Sequence, residues 1–153
     1  MLIFLNPTKQ IMTLTKKYRI LVADSDLKFQ RQLSRILRNI IDNYEHTNIE
    51  LFAETDVQEI NKKVKSKLDL VFLDADFFIN DDDVLLSNLF KNSPNCIIVL
   101  LTSDKVGKNI IKVIDTFKRH NQLYFGEHLL KDNYSDDIIS FFCRGYVDRI
   151  VYH

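Results

Sequence analysis

The chain has 153 residues, of which 46% are hydrophobic and 27% charged, a composition typical of a single folded domain. Basic and acidic residues number 21 each, so the net charge gives no indication of nucleic acid or an acidic membrane surface as partner. The longest apolar run, Cys96 to Leu101, is too short to cross a bilayer. The two cysteines fall in a predicted strand and a predicted helix, which favours free thiols in the cytoplasm over a disulfide framework.

Residues 1–17 are predicted to form an extension ahead of a single domain at residues 18–153. The apolar segment Met1–Leu5 lacks the basic flank and the small-residue cleavage site that a signal peptide requires. Met12 is an alternative start of the chain.

The first half of the chain alternates between predicted strands and predicted helices. Short apolar runs at 19–23, 49–53 and 69–73 are typical of buried strands. Between them, apolar residues recur every three or four positions at 27–44 and from Val57 to Leu68, which predicts two amphipathic helices.

The second half continues the alternation with two strands and three helices. In chain order, the predicted elements are a helix at Val84–Phe90 ended by Ser93-Pro94, a strand at Cys96–Leu101, a helix around Ile110–Phe117, a strand within Leu123–Leu130, and a helix capped by Ser135 that runs to about Val147. Five successive strand-then-helix units predict an α/β fold with a parallel, doubly wound sheet covered by helices on both faces.

Polar residues stand where four of the predicted strands end. Asp24-Ser25-Asp26 follows the first strand, Asp74-Ala75-Asp76 the third, Thr102 the fourth and Lys131 the fifth. Ligands of open α/β sheets bind beyond the carboxyl ends of the strands, so these side chains are expected to share one pocket.

The types of residue in this pocket indicate phosphoryl chemistry. Clustered carboxylates repel one another unless a cation lies among them, and oxygen ligands suit Mg²⁺, so the candidate metal ligands are Asp24, Asp26, Asp74 and Asp76. A lysine and a hydroxyl, here Lys131 and Thr102, stabilise charge on phosphoryl oxygens. The Asp74 carboxylate can itself be the nucleophile and form an aspartyl-phosphate.

The ordered motifs RILVADSD, DLVFLDAD, IIVLLTS and HLLK resemble the receiver domain of two-component response regulators, over about residues 18–148. The resemblance implies a five-stranded, flavodoxin-like (βα)5 fold and matches Asp24 to the first acidic position, Asp74 to the phospho-acceptor, Thr102 to the hydroxyl position and Lys131 to the lysine. It also implies Mg²⁺ as cofactor and a histidine kinase or phosphotransfer protein as phosphate donor. The output would be contact with another protein, and the only catalysis would be self-catalysed phosphoryl transfer and autodephosphorylation.

Departures from the family pattern favour a second interpretation. Ser25 stands where relatives have a second adjacent acid, and Asp132 rather than proline follows Lys131. Phe77-Phe78 replaces the usual proline after the third strand, and 28 residues separate Thr102 from the lysine, more than is usual. A degenerate receiver that acts as an interaction or dimerisation module, independent of phosphorylation, would have the same pattern.

Alternatives of a simpler kind apply to single residues. Asp26, and less readily Asp24, would serve equally well as the N-cap of the helix at 27–44. Asp74 alone could be the solvated end of a strand. The Asp74-Ala75-Asp76 motif also resembles the D-x-D nucleophile motif of haloacid-dehalogenase-like phosphatases, but in that family the motif normally ends the first strand and is followed by a hydroxyl or small residue, where Phe78 stands in this chain.

Aromatic residues of the last third of the chain predict a contact surface. They are Phe117, Tyr124, Phe125, Phe141, Phe142 and Tyr146. A domain of this size can bury only some of its 11 Phe and 6 Tyr residues, and exposed aromatic patches mark contact surfaces. The helix after the fourth strand, the fifth strand and the last helix are therefore expected to bind an output protein or a second copy, unless the aromatic residues pack inward. His128 occupies the position of the aromatic switch residue of many relatives.

Overall fold

Five parallel strands form one sheet at the centre of the protein. The computed structural model describes residues 16–80, 82–103, 110–124, 126–132 and 134–152. The strands are β1 (Lys17–Ala23), β2 (Asn48–Glu54), β3 (Leu70–Asp74), β4 (Ile97–Thr102) and β5 (His128–Leu130). Their order across the sheet is β2-β1-β3-β4-β5, and every pair of neighbours is parallel. The predicted α/β fold is confirmed.

Helices connect successive strands, and a final helix follows the last strand. Within the described ranges they are α1 (Leu27–Ile41), α2 (Val57–Val64), α3 (Asp76–Ile79), α4 (Asp83–Asn92), α5 (Ile110–Arg119) and α6 (Asp136–Tyr152). None of the helices in these ranges is long and apolar enough to cross a membrane.

Side chains alternate between two cores along the central strands, because successive residues of a strand point to opposite faces of the sheet. In β1, Ile20 and Val22 lie in the core that α1 and α6 cover, whereas Leu21 and Ala23 lie in the core that α2, α3, α4 and α5 cover. All five residues of β3 are buried, as expected of a strand with helices on both faces. This arrangement is doubly wound, as the alternation of elements predicted.

Side chains of acidic and hydroxyl residues define where three helices begin. The Asp26 carboxylate accepts hydrogen bonds from the N–H groups of Lys28 and Phe29 at the start of α1, and Asp56 accepts one at the start of α2. The Ser135 hydroxyl accepts one from the Ile138 N–H at 3.4 Å, in the role that its position predicted. These bonds satisfy N–H groups that have no partner within the helix.

The structure differs from the sequence prediction at several boundaries. β1 begins at Lys17, which the prediction assigned to the extension, and α6 continues to Tyr152. The helix α3 was not predicted, because one helical turn is too short to show a helical apolar period; its Phe77 and Phe78 are buried. The predicted extension lies outside the described residues up to residue 15, as does Phe125.

Candidate functional site

Two buried carboxylates lie side by side at the carboxyl ends of β1 and β3. Asp24 is fully buried and Asp74 is 4% exposed. The backbone holds both in place, because the Asp24 N–H donates to the Glu54 carbonyl at 3.2 Å and the Ala75 N–H donates to the Leu101 carbonyl at 3.0 Å. Backbone hydrogen bonding between neighbouring strands therefore continues to the positions of the two acids and fixes where each lies.

Lys131, which follows β5, lies against both acids. Its backbone N–H donates to the Thr102 carbonyl at 2.8 Å, which continues the ladder between β4 and β5. Its Nζ lies 2.6 Å from Asp24 Oδ2 and 3.5 Å from Asp74 Oδ2, and also 5.8 Å from the centre of the Phe29 ring. A cation in this position offsets the repulsion between two buried carboxylates.

The remaining carboxylate oxygens accept hydrogen bonds from the chain around them. The Asp26 N–H donates to Asp24 Oδ1 at 2.9 Å, and the Asp76 N–H donates to Asp74 Oδ1 at 3.0 Å. The Ser25 hydroxyl donates to Asp74 Oδ2 at 3.4 Å. Each acid therefore has one oxygen on a backbone N–H and the other beside Lys131, which fixes the orientation of both carboxylates.

Burial and charge have opposing effects on the pKa values of the site. Burial raises the pKa of Asp24 from 3.8 to about 6, an effect that Lys131 and the Asp26 N–H partly offset and that the Asp74 charge increases. Burial alone would lower the pKa of Lys131, but the two neighbouring carboxylates outweigh it, so that pKa is raised. At neutral pH the pair of Asp24 and Lys131 is consequently ionised.

Thr102 ends β4, the strand next to β3, and adds a buried hydroxyl. The residue is 2% exposed, and its Oγ1 has no hydrogen-bond partner in the described part of the chain. In register, Leu101 lies opposite Asp74, and Thr102 lies opposite Leu130, the residue before Lys131. A buried hydroxyl without a partner is rare, so this one is a candidate donor to a ligand.

The structure does not bring together all of the predicted metal ligands. The Asp26 carboxylate caps α1, and Asp76 is exposed in the first turn of α3. Within the described ranges, no group of three or more His, Cys, Asp or Glu side chains could hold a metal ion. Asp24 and Asp74 are thus the two predicted ligands that lie together, beside the ammonium group of Lys131; Mg²⁺ keeps several waters and binds proteins through one or two carboxylates.

Two residues of the site were not predicted to contribute to it. Ser25 was identified only as a departure from the family pattern, yet its hydroxyl contacts Asp74. Its position directly after Asp24 was the available signal. Phe29 belongs to the apolar face of α1, where the sequence shows nothing that separates a core ring from one that also contacts Lys131.

The aromatic residues expected on a contact surface divide into buried and exposed ones. Phe117 and Tyr146 are buried, whereas Phe141 is 74% and Phe142 36% exposed. The ring of Tyr124 lies 5.3 Å from that of Phe117, and its hydroxyl lies 3.1 Å from Nδ1 of the exposed His128. Only part of the predicted aromatic set is therefore available to a partner.

Comparison with solved structures shows the same fold in other proteins. The chain is similar to a signal receiver domain of an HD domain-containing protein from Pseudomonas fluorescens, with a TM-score of 0.58, 19% identity, and coverage of 90% of this chain and 100% of that one. An uncharacterised protein from Neptuniibacter caesariensis gives a TM-score of 0.57 at 16% identity, with 89% and 91% covered. A pilus assembly protein, CpaE, from Burkholderia thailandensis gives 0.53 at 13%, with 89% and 99% covered.

Comparisons based on sequence found no matching family model and no matching curated protein. The structural likeness is at the level of the fold, because all three identities are below 20%. The chain has the same five-stranded, doubly wound parallel fold as a receiver domain, as the sequence predicted.

Proposed function

We propose that the protein is a receiver that accepts a phosphoryl group on Asp74. The observation that carries this proposal is the contact of one lysine with two buried acids: Lys131 Nζ lies 2.6 Å from Asp24 and 3.5 Å from Asp74. A lysine held beside a buried strand-end carboxylate supplies positive charge where the oxygens of a transferred phosphoryl group would collect negative charge.

The residues around Asp74 suit the chemistry of acyl phosphate formation. A phosphohistidine of a histidine kinase or phosphotransfer protein would lose its P–N bond, an Asp74 carboxylate oxygen would form the new P–O bond, and the histidine nitrogen would take up a proton. The unpartnered Thr102 hydroxyl and the ammonium of Lys131 would then bind the phosphoryl oxygens. We expect no other catalysis than this transfer and the later hydrolysis of the phosphate.

The signal would leave the site through contact with another protein. Tyr124 and His128, which are in hydrogen-bond contact, lie just before Lys131 in the chain, and the exposed rings of α6 follow it. An aromatic surface of this kind favours an output protein or a second copy over nucleic acid. Cys96 and Cys143, both free thiols, favour the reducing cytoplasm as its location.

A second candidate function is a receiver-like module that binds its partner without phosphorylation. Two observations favour it: Lys131 lies nearer to Asp24 than to Asp74, and Ser25 provides no second carboxylate beside Asp24. In this alternative the ion pair is structural. The phosphatase alternative receives no support from the site, because Asp76, the second acid of the D-x-D motif, is exposed at the start of α3.

The mass of the intact protein after incubation with acetyl phosphate and Mg²⁺ separates the two candidates. The receiver should gain the mass of one phosphoryl group, and Asp74→Asn should gain none. Asp76→Asn, two residues further along the same segment, is the matched control and should gain the same mass as the natural protein. A gain that persists in Asp74→Asn would exclude Asp74 as acceptor, and no gain in any of the three would favour the module.

A further inference from the structure

Two adjoining cavities lie at the edge of the sheet opposite to the acidic site, where β3 and β4 begin. Their volumes are about 470 Å³ and 790 Å³. Both are lined by the segment that leads from α4 into β4 and by one residue of α6: Ser93, Pro94, Asn95, Cys96, Ile97 and Arg149. Because they share one wall, a single molecule could extend from one cavity into the other.

The smaller cavity has walls of mixed polarity, and its apolar side chains come from β4, α4, α5 and the segment after α5. Ile98, Leu123 and Tyr124 line it, together with the rings of Phe90 and Phe117. It lies beside the first half of β4, since β5 has three residues and pairs with β4 only from Leu100 onward. The shortness of β5 therefore leaves room for an apolar group next to the edge of the sheet.

The larger cavity is lined by basic side chains whose charge is only partly matched. Lys16, Lys67 and Arg149 line it, with Asp69 as the acidic residue. The Asp69 carboxylate accepts a hydrogen bond from the Arg19 N–H at 2.9 Å. Lys67 is exposed and forms no ion pair within the described ranges.

Arg149 stands at the junction of the two cavities and pairs with Glu127 at 2.9 Å. Glu127 also accepts a hydrogen bond from the Tyr146 hydroxyl at 3.2 Å. Counting both cavities, three basic side chains line them against two acidic ones, and Arg149 and Glu127 pair with each other, so the net formal charge is +1. The local charge therefore favours an anion.

Cys96 lines both cavities but does not make them a reactive site. Burial raises the pKa of its thiol to about 12, so that the thiol is protonated at neutral pH and a poor nucleophile. The cavities are consequently suited to binding rather than to covalent chemistry.

We propose that the joined cavities bind a small organic anion whose apolar, aromatic body occupies the smaller cavity while its charged group lies near Lys67 and Lys16. The smaller cavity is within the range of ligand sites, which are mostly apolar with a few polar groups that orient the ligand. This site is separate from the proposed phosphoryl site and does not depend on it.

A pair of fluorescent probes with the same aromatic body tests the proposal. 1-Anilinonaphthalene-8-sulfonate carries an anionic group, and N-phenyl-1-naphthylamine lacks it. The full chain should bind the sulfonate saturably with one site, and should bind the neutral probe about fivefold more weakly, since one exposed charge contact is lost. Equal affinities, or no saturable binding of the sulfonate, would overturn the proposal.

Matched variants locate the probe. Leu123→Ser should weaken sulfonate binding by about tenfold through lost apolar contact, whereas Val84→Ser, at a similarly exposed apolar residue of α4, should leave it unchanged. Lys67→Gln should weaken it by about fivefold, and Lys112→Gln, at another exposed lysine, should not.

Circular dichroism checks that each variant is folded. Because both lysines are exposed, the lysine pair remains informative if Leu123→Ser unfolds. Wild-type affinity in Lys67→Gln, or equal losses in each matched pair, would show that the probe binds elsewhere.

Discussion

Asp24 is the residue at which burial and charge oppose each other most directly. Its pKa is about 6 in the folded protein against an ordinary 3.8, so between these pH values the folded state holds a proton that the unfolded state releases. The sign follows: the contribution of Asp24 to the free energy of unfolding falls as the pH rises from about 4 to about 6. Above that range it stays at its lower value.

The variant Asp24→Asn tests this dependence. We expect the free energy of unfolding of the natural protein, minus that of the variant, to fall by up to about 3 kcal/mol between pH 4 and pH 7, given roughly 1.4 kcal/mol for each pKa unit. Urea titration at a series of pH values measures it. A difference that grows with pH would mean that Lys131 stabilises the ionised carboxylate more than burial penalises it.

Ser25 limits the negative charge that the site offers to a divalent cation. Its hydroxyl contacts Asp74, but it contributes no negative charge, and the Asp26 carboxylate is engaged as the cap of α1. We therefore expect Mg²⁺ to bind weakly, and Ser25→Asp to bind it at least about tenfold more tightly, because a carboxylate is added to an oxygen site. Isothermal titration compares the two proteins, with Ser25→Asn as the uncharged control. Equal affinities would show that another acid already fills the role.

At the scale of the element, the side chain of Asp26 caps the start of α1. Asp26 accepts hydrogen bonds from the N–H groups of Lys28 and Phe29 at 3.0 and 3.3 Å. The start of α1 also determines where Phe29 lies against Lys131, and so connects helix geometry with the acidic site.

Replacement of Asp26 by alanine should lower the free energy of unfolding by about 1 kcal/mol, because the two N–H groups lose their acceptor. Asp82→Ala is the matched control, since Asp82 occupies the cap position of α4 without a side-chain cap hydrogen bond. Chemical denaturation of both variants measures the difference. A loss in Asp82→Ala as large as in Asp26→Ala would refute the capping role of Asp26.

For the whole molecule, the exposed apolar side chains of α6 define one candidate contact surface. Ile138, Phe141 and Phe142 are 43%, 74% and 36% exposed, and the ring of Phe142 lies 5.6 Å from that of Tyr134. By contrast, Ile139, Cys143 and Val147 are fully buried in the core of the same helix. Helix α6 thus has an apolar face on each side, and the outer one remains largely exposed apart from the contact of Phe142 with Tyr134.

We expect Phe141→Ala to weaken self-association or partner binding by at least about tenfold while stability changes by less than about 0.5 kcal/mol, since the ring is exposed in the single chain. Val84→Ala, at a similarly exposed position on α4, is the control. Sedimentation over a range of concentrations and partner pull-down measure association, and thermal unfolding measures stability. Unfolding of Phe141→Ala would instead assign this ring to the core.

The order of strands and helices, and the acids, hydroxyl and lysine at four strand ends, could be predicted because they depend on local apolar periodicity and on the rule that parallel strands end at one edge of the sheet. The geometry within that edge could not be predicted. The N–H group of Asp26 donates to Asp24, whereas the carboxylate of Asp26 accepts from the first turn of α1. The path of the backbone after β1 determines this division, and the sequence does not show that path.

Tertiary packing likewise determined which aromatic side chains are buried by residues distant in the sequence. Phe117 and Phe141 are alike in the sequence, yet Phe117 stacks on Phe78 of α3 with ring centres 5.2 Å apart, while Phe141 faces solvent. Local periodicity could not show this, because the partner of Phe117 lies in a helix of one turn that carries no periodic signal of its own. The pairing of Lys131 with Asp24 is of the same kind, since it joins residues more than one hundred positions apart through the strand order β1-β3-β4-β5.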